Sequence, residues 1–291
     1  CETDWKKVVS DPEIDVISIA VPGFLHKNIA VEAAKNGKHI LCEKPLARSY
    51  EEALAMYQAV KNNNVFGMVN FNYRRVPAVA LAKKLISEEE LGQIVSYKGF
   101  YQQDWGLFGA PMSWRYKSEM DGKGPQQMGI HIIDMAQWLV GNIKETVGTM
   151  DIVIPRRVGA NGVMDTVTND DNSIWMVKFE NGASGVFESS RAHMGRKNYQ
   201  WFEVNGTKGT IRFELERMNE LYFYSGKDST DRSGFKTILA TEPEHPYMKY
   251  WWPTGHMLGW EHTVQHQYYE FLKAIERECE PTPNFADGLS A

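Results

Sequence analysis

In the N-terminal third of the chain, short β-branched apolar runs alternate with amphipathic stretches. Val16-Ile17-Ser18-Ile19-Ala20-Val21 ends at Pro22-Gly23 and predicts a buried parallel strand. Residues 25–36 predict a helix closed by Gly37 in the left-handed position just past its end. His39-Ile40-Leu41-Cys42 predicts a second strand. Ser49-Tyr50-Glu51-Glu52 has the Ser-to-Glu spacing of a capping box and opens a helix reaching about Asn62. A third strand is expected over Val65–Phe71 and a further helix from about Val76 to Ser87. Strand–helix alternation with short connections predicts a doubly wound α/β sheet.

The pattern changes after Gly92. Ile94 to Trp105 reads as a long strand with alternating aromatics. Ser173–Phe179, Ala183–Ser190, Tyr199–Val204 and Thr210–Phe213 are strand candidates without intervening helices, which favours a mostly antiparallel sheet. Gly206-Thr207-Lys208-Gly209 lies between strand signals and is expected to be a hairpin turn rather than a phosphate loop. Helices are expected over residues 125–140 and 260–276, the second with Val264, Tyr268, Phe271, Leu272 and Ile275 as a core-facing stripe. The organisation expected is a doubly wound parallel unit over residues 1–91 and an α+β domain over residues 92–291, with helix 260–276 packing back towards the first.

Composition narrows the partners. With 32 Lys and Arg against 37 Asp and Glu, the 291-residue chain has a formal net charge of −5 and no basic run longer than two. This argues against nucleic acid or an anionic membrane surface as partner. No apolar stretch approaches the roughly 20 residues of a membrane span. Cys1, Cys42 and Cys279 are too few and too scattered for a disulfide framework, so a reducing, cytoplasmic compartment is expected. No Cys-x-x-Cys pair exists and no metal site is expected. The chain begins at Cys1 without an initiator Met and stops at Ala291 in what reads as mid-protein sequence, so it is read as a piece cut at both ends.

Three places could carry chemistry. Lys44, in Glu43-Lys44-Pro45, follows a buried strand at the end where doubly wound sheets bind ligands, and the Pro is able to aim it through a cis bond. The alternative is a surface Lys paired with its neighbouring Glu. His131 is expected on a helical face with Gln127 and Asp134, as an acid/base group oriented by Asp134 or as a half-buried structural histidine. Gly122, Gly124 and Gly129 around it would permit close backbone approach. His256 lies in an aromatic stretch with Tyr250, Trp251, Trp252 and Trp260, suited to a sugar face or to a domain interface.

In chain order, Ile19-Ala20-Val21-Pro22 with His26, Gly37 to Leu46, Phe71 to Pro77, Trp114-Arg115 and Gly129 to Asp134 resemble the Gfo/Idh/MocA family of NAD(P)-dependent oxidoreductases. The resemblance implies a Rossmann domain, here partial, and a second domain with a mostly antiparallel sheet. It implies Lys44 as the catalytic lysine between substrate hydroxyl and nicotinamide, and His131 as the acid/base group. Ala20, Val21, Pro22, His26, Glu43, Lys44 and Pro45 are implied to line NAD or NADP, with Asn72, Arg75, Trp114 and Arg115 near the nicotinamide. Gln127 and His256 are implied to reach the substrate. The substrate implied is a sugar, polyol or related derivative, and the open sheet face of the second domain is implied to form a homodimer or homotetramer.

Gln127 stands where the family pattern has an Asp. An amide cannot take a proton, so acid/base work falls to His131 or Lys44. This leaves room for redox-neutral, NAD-assisted elimination such as glycoside cleavage. A non-enzymatic sugar-binding regulator is a third reading, against which Lys44 and His131 both speak. The Gly-x-Gly-x-x-Gly turn that cradles the pyrophosphate is not present in residues 1–291. These residues alone are therefore expected to bind NAD(P) poorly and to be inactive, and micromolar binding in calorimetry would contradict this.

Overall fold

The structure, a computed structural model, describes residues 2–107, 109–121 and 126–291; Gly122 and Gly124 lie outside these residues. Strands β1 (Val16–Ile19), β2 (His39–Cys42) and β3 (Gly67–Val69) form a parallel sheet in that order. Around them run α1 (Trp5–Ser10), α2 (His26–Lys35) and α3 (Tyr50–Asn62). Gly37 closes α2 with a φ of 73°, as its position predicts. At α3 only half of the expected capping box forms. Ser49 Oγ accepts from Glu52 N at 3.3 Å, but the Glu52 carboxylate is taken by the Arg48 guanidinium at 2.6 Å. A charge-assisted bond to an adjacent guanidinium outcompetes a single backbone N–H.

After α4 (Pro77–Ser87), strand β4 (Ile94–Gln102) enters a second sheet. Helices α5 (Ser118–Asp121) and α6 (Gln126–Leu139) follow it, then β5 (Ile143–Asp151) and a ribbon of β6 (Arg156–Val158) and β7 (Met164–Thr166). The remaining strands are β8 (Asn172–Phe179), β9 (Ser184–Ser190), β10 (Tyr199–Gly206), β11 (Gly209–Glu214), β12 (Glu220–Ser225) and β13 (Lys236–Leu239). The eight-stranded order is β13-β12-β11-β10-β4-β9-β8-β5, antiparallel except at β4–β9. Thr207 and Lys208 link β10 to β11 as the expected hairpin. Helices α7 (Trp260–Glu276) and α8 (Phe285–Ser290) return to the first sheet. Among the described residues, no helix is long and apolar enough to cross a membrane.

Two cores result, one around Ile40, Met56, Phe71 and Phe285, the other around Tyr97, Phe187, Phe202 and Phe213. Helix α4 was expected with residues 1–91, yet its Ala78, Val79, Leu81 and Ala82 lie in the second core. Helix α6 serves both, sending Ile130 into the first core and Ile132, Met135 and Leu139 into the second.

Helix α7 turns a different face inward from the apolar stripe predicted. Thr263, His266, Gln267, Phe271 and Ala274 are buried, whereas Tyr268 is 37% and Leu272 54% exposed. The reason is polar demand from below, where Asn72 and Arg75 are buried and need partners. Asn72 Nδ2 donates to Thr263 Oγ1 at 2.7 Å, and Arg75 Nε donates to Gln267 Oε1 at 2.8 Å. Trp251 Nε1 donates to His266 Nε2 at 2.6 Å, which leaves Nδ1 to donate to Arg75 O at 3.0 Å. Burial pushes the His266 imidazole down to about 4.

The unfolded chain protonates His266 near its ordinary value of about 6.5, whereas the folded protein keeps it neutral to about pH 4. The unfolded state thus binds more protons in that window, and stability falls as pH drops through it. Urea unfolding is expected to lose more stability from about pH 7 to about pH 4.5 in the wild type than in His266→Gln. Equal slopes would show that His266 is not held neutral.

Candidate active site

The first sheet's carboxyl ends open into a cleft. Glu43 N donates to Ile19 O at 2.8 Å, which extends the strand pairing by one step before the cis Lys44–Pro45 bond turns the chain. The Glu43 carboxylate accepts from Asn70 Nδ2, and Lys44 Nζ donates to the main-chain oxygen of Gln127 at 2.7 Å. His26 Nε2 lies 2.8 Å from Val21 O and its Nδ1 lies 3.0 Å from Pro45 O. It therefore bridges the loops after β1 and β2 through their backbones.

Two clefts meet at Lys44. One, of about 440 Å³, is lined by Ala20, Val21, Pro22 and His26 on one side and by Glu43, Pro45 and Trp114 on the other. The second, of about 510 Å³, is walled by Tyr101, Gln103, Trp105, Tyr116 and Met128. Lys44, Arg115 and Gln127 line both. The Arg115 guanidinium stands 4.4 Å from the Trp114 ring, a stacked arrangement at the shared rim.

His131 arrives on α6, which lies close against β4 because residue 99 is glycine. A Cβ there would stand 2.7 Å from Ile132 Cγ2 and from Tyr97 Cε1. His131 is buried beside Tyr73, Tyr101 and Phe71, with ring centroids at 4.5, 5.8 and 6.3 Å. Tyr73 and Tyr101 share a hydroxyl–hydroxyl bond of 2.9 Å, and Tyr101 donates to Asn198 Oδ1 at 2.7 Å. Burial first, then the nearby Lys44 cation, holds the His131 imidazole well below its ordinary value and hence neutral at neutral pH. Of the two roles open to Asp134, the structure gives it the structural one. Arg74 grips it with Nε on Oδ2 at 3.0 Å and Nη2 on Oδ1, while burial raises the carboxyl to about 6 against the pull of Arg74.

The structure thus gathers Ala20, Val21, Pro22, His26, Glu43, Lys44, Pro45, Trp114, Arg115 and Gln127 around the clefts, while His131 lines neither and is buried behind them, within electrostatic reach of Lys44. Three of the expected residues lie apart from the clefts. Asn72 and Arg75 do not line either cleft; their polar atoms are engaged by α7, and Arg75 also reaches Tyr247 OH at 2.9 Å and Thr282 O. His256 is exposed outside both clefts, with Nδ1 2.7 Å from Pro253 O. Tyr101, Gln103, Trp105 and Tyr116 were not singled out as site residues. The aromatic alternation of β4 pointed to Tyr101, whereas nothing local marked Tyr116.

Nitrogen NMR of the histidine side chains should find His131 neutral to well below pH 6.5, the ordinary value. Lys44→Met should move its titration upward, because the second depressing influence is gone, but only in part, because burial remains. A wild-type imidazole titrating at its ordinary value would contradict this arrangement.

Comparison with known proteins matches the same two-part organisation. Residues 1–71 match the model of the oxidoreductase family with the NAD-binding Rossmann fold, and residues 79–212 match the GFO/IDH/MocA C-terminal domain. Levoglucosan dehydrogenase of Pseudarthrobacter phenanthrenivorans is 43% identical over 98% of this chain and 77% of its own length. The 2,7-anhydro-N-acetylneuraminate hydratase of Escherichia coli is 32% identical over 72% of this chain and 54% of its own. A solved structure of levoglucosan dehydrogenase in complex with NADH and levoglucosan superposes with a TM-score of 0.96 at 44% identity, covering 99% of this chain and 77% of the other. The chain belongs to the Gfo/Idh/MocA family of oxidoreductases and has that family's NAD-binding Rossmann fold.

Proposed function

We propose that the protein oxidises a hydroxyl of an uncharged cyclic sugar, of which levoglucosan is the first candidate, with NAD as hydride acceptor. The observation that carries this reading is the position of Lys44, shared by two clefts and next to a neutral, buried histidine. The smaller cleft suits the nicotinamide end of NAD. It sits at the carboxyl ends of β1 and β2, is walled partly by the 20–23 loop, and has Lys44 and Arg115 at its rim facing an anionic cofactor. When bound there, NAD supplies a hydride acceptor.

The larger cleft suits a sugar, with aromatic faces from Tyr101, Trp105 and Tyr116, the Gln103 amide, and no acidic side chain among its described lining residues. Lys44 polarises the reacting oxygen and stabilises negative charge on it. His131, neutral before reaction, takes the hydroxyl proton as the carbonyl forms. Gln127 contributes its main-chain oxygen to Lys44 and an amide that can orient a hydroxyl without ionising.

The redox-neutral alternative has one specific support, the absence of a carboxylate at position 127. Full-length protein, NAD and a panel including levoglucosan should give NADH and oxidised sugar in equal amounts. Lys44→Met and His131→Ala should each lower kcat/KM by about 10²–10⁴-fold. Substrate consumed without NADH would favour elimination, and binding without turnover a regulator. Val147, Ile174, Met176 and Val186 expose apolar surface on the second sheet. Light scattering of the same sample should therefore show a dimer or tetramer, and a monomer would count against the oligomer.

A further inference from the structure

Among the described residues between Gln102 and Trp114 there is neither helix nor strand, yet this segment carries much of the wall of the larger cleft: Trp105, Ala110, Pro111 and Ser113, with Arg115 and Tyr116 just beyond. It is held from behind by two arginines. The Arg157 and Arg191 guanidiniums both pack on the Tyr116 ring, 4.0 and 4.4 Å from its centroid. All three side chains are buried, and so is Asp171. Asp171 accepts from Arg191 Nε at 2.7 Å and stands 3.6 Å from Arg157 Nη2. Its other oxygen accepts from Val153 N and Ile154 N at 2.9 and 3.0 Å.

Asp171 is shared by two buried guanidiniums, and their Nη donors turn to backbone carbonyls, while Arg157 Nε is buried without an acceptor among the described residues. Arg157, on β6, donates to Gly106 O, to Ala110 O at 3.2 Å and to Leu107 O at 3.4 Å. Arg191 donates to Arg115 O at 3.0 Å and Asn169 O at 3.3 Å. Backbone bonds tie the segment down at Gln103, Gly106 and Met112, and between these points the two cations packed on the Tyr116 ring hold its carbonyls.

We propose that Arg157 and Arg191, both packed on the Tyr116 ring, are positioning residues that set the substrate wall of the larger cleft. The inference rests on the reading of that cleft as the sugar site. The carbonyls that Arg157 holds belong to Gly106, Leu107 and Ala110, none of which lines the smaller cleft, so Arg157 acts on substrate and not on NAD, whereas Arg191 also holds Arg115, which lines both clefts. Lysine keeps the charge but, as a point ammonium, can neither stack as a plane nor reach three carbonyls at once.

The test uses full-length Arg157→Lys, with Arg191→Lys as second variant because it leaves a cation beside Asp171. The KM for levoglucosan should rise about tenfold or more, while kcat and the KM for NAD stay within about threefold. The melting temperature should stay within a few degrees. Unchanged sugar KM, or loss of sugar and NAD affinity together with a collapsed melting temperature, overturns the proposal. A readout free of turnover separates its failure from that of the functional reading. Limited proteolysis should cut faster between residues 106 and 115 in both variants at an unchanged global unfolding midpoint. If the wild type turns over no sugar but this cleavage still rises, the anchoring holds and the sugar reading fails. Unchanged cleavage in both variants overturns the anchoring itself.

Discussion

The ion pair between Arg74 and Asp134 is the constraint on which the site depends. Both side chains are buried, at 4% and 3% exposure, and the contact is bidentate. Removing Arg74 would leave the Asp134 carboxyl buried without its cation, at a cost of about 3–5 kcal/mol, whereas removing Asp134 would leave Arg74 with Asp287 at 3.2 Å. Arg74 belongs to the turn after β3, and Asp134 to α6. The pair thus fixes the helix of one domain upon the sheet of the other. His131 lies about one turn before Asp134, and Gln127 about one turn before that. Fixing the rotation of α6 therefore brings His131 and the Gln127 carbonyl to Lys44, which comes from the end of β2.

That arrangement explains why both cores converge on one helix. With Ile130 in the first core and Ile132 in the second, α6 cannot slide or roll without exposing apolar surface on one side. Gly99 contributes the missing volume on β4 that lets α6 approach. Under α7, the same logic appears in polar form. Asn72 and Arg75 are held by Thr263, Gln267 and the carbonyl of Thr282, so the turn bearing Arg74 is braced from the opposite side.

The electrostatics of the site follow from what sits at position 127. The bond from Lys44 reaches the backbone of residue 127, so the contact does not depend on which side chain stands there. What changes is charge. A carboxylate would attract protons to His131, whereas an amide leaves the Lys44 cation and burial to keep the imidazole neutral. The result is a neutral imidazole within electrostatic reach of a cation, with aromatic walls around the larger cleft.

By itself, the sequence determined the alternation of strands and helices, the antiparallel second sheet, and the Glu-Lys-Pro turn at a strand end. Each of these rests on local periodicity or turn chemistry, which a linear chain carries. It also carried the candidate pair, Lys44 and His131. Only the tertiary structure decided which groups face each other. Helix α7 buries Thr263, His266 and Gln267 along with Phe271, and leaves Tyr268 and Leu272 of its apolar stripe exposed, because Asn72 and Arg75, some 190 residues away, supply their hydrogen bonds. For the same reason the spacing of Asn72 and Arg75 did not reveal that their polar groups meet α7. Asp134 was legible as polar but not as the partner of Arg74. Tyr116 carried no mark of its cleft until Arg157 and Arg191 packed on it. Hydrogen bonds and ion pairs between distant segments leave no period in a sequence, so their partners are decided only when the chain closes on itself.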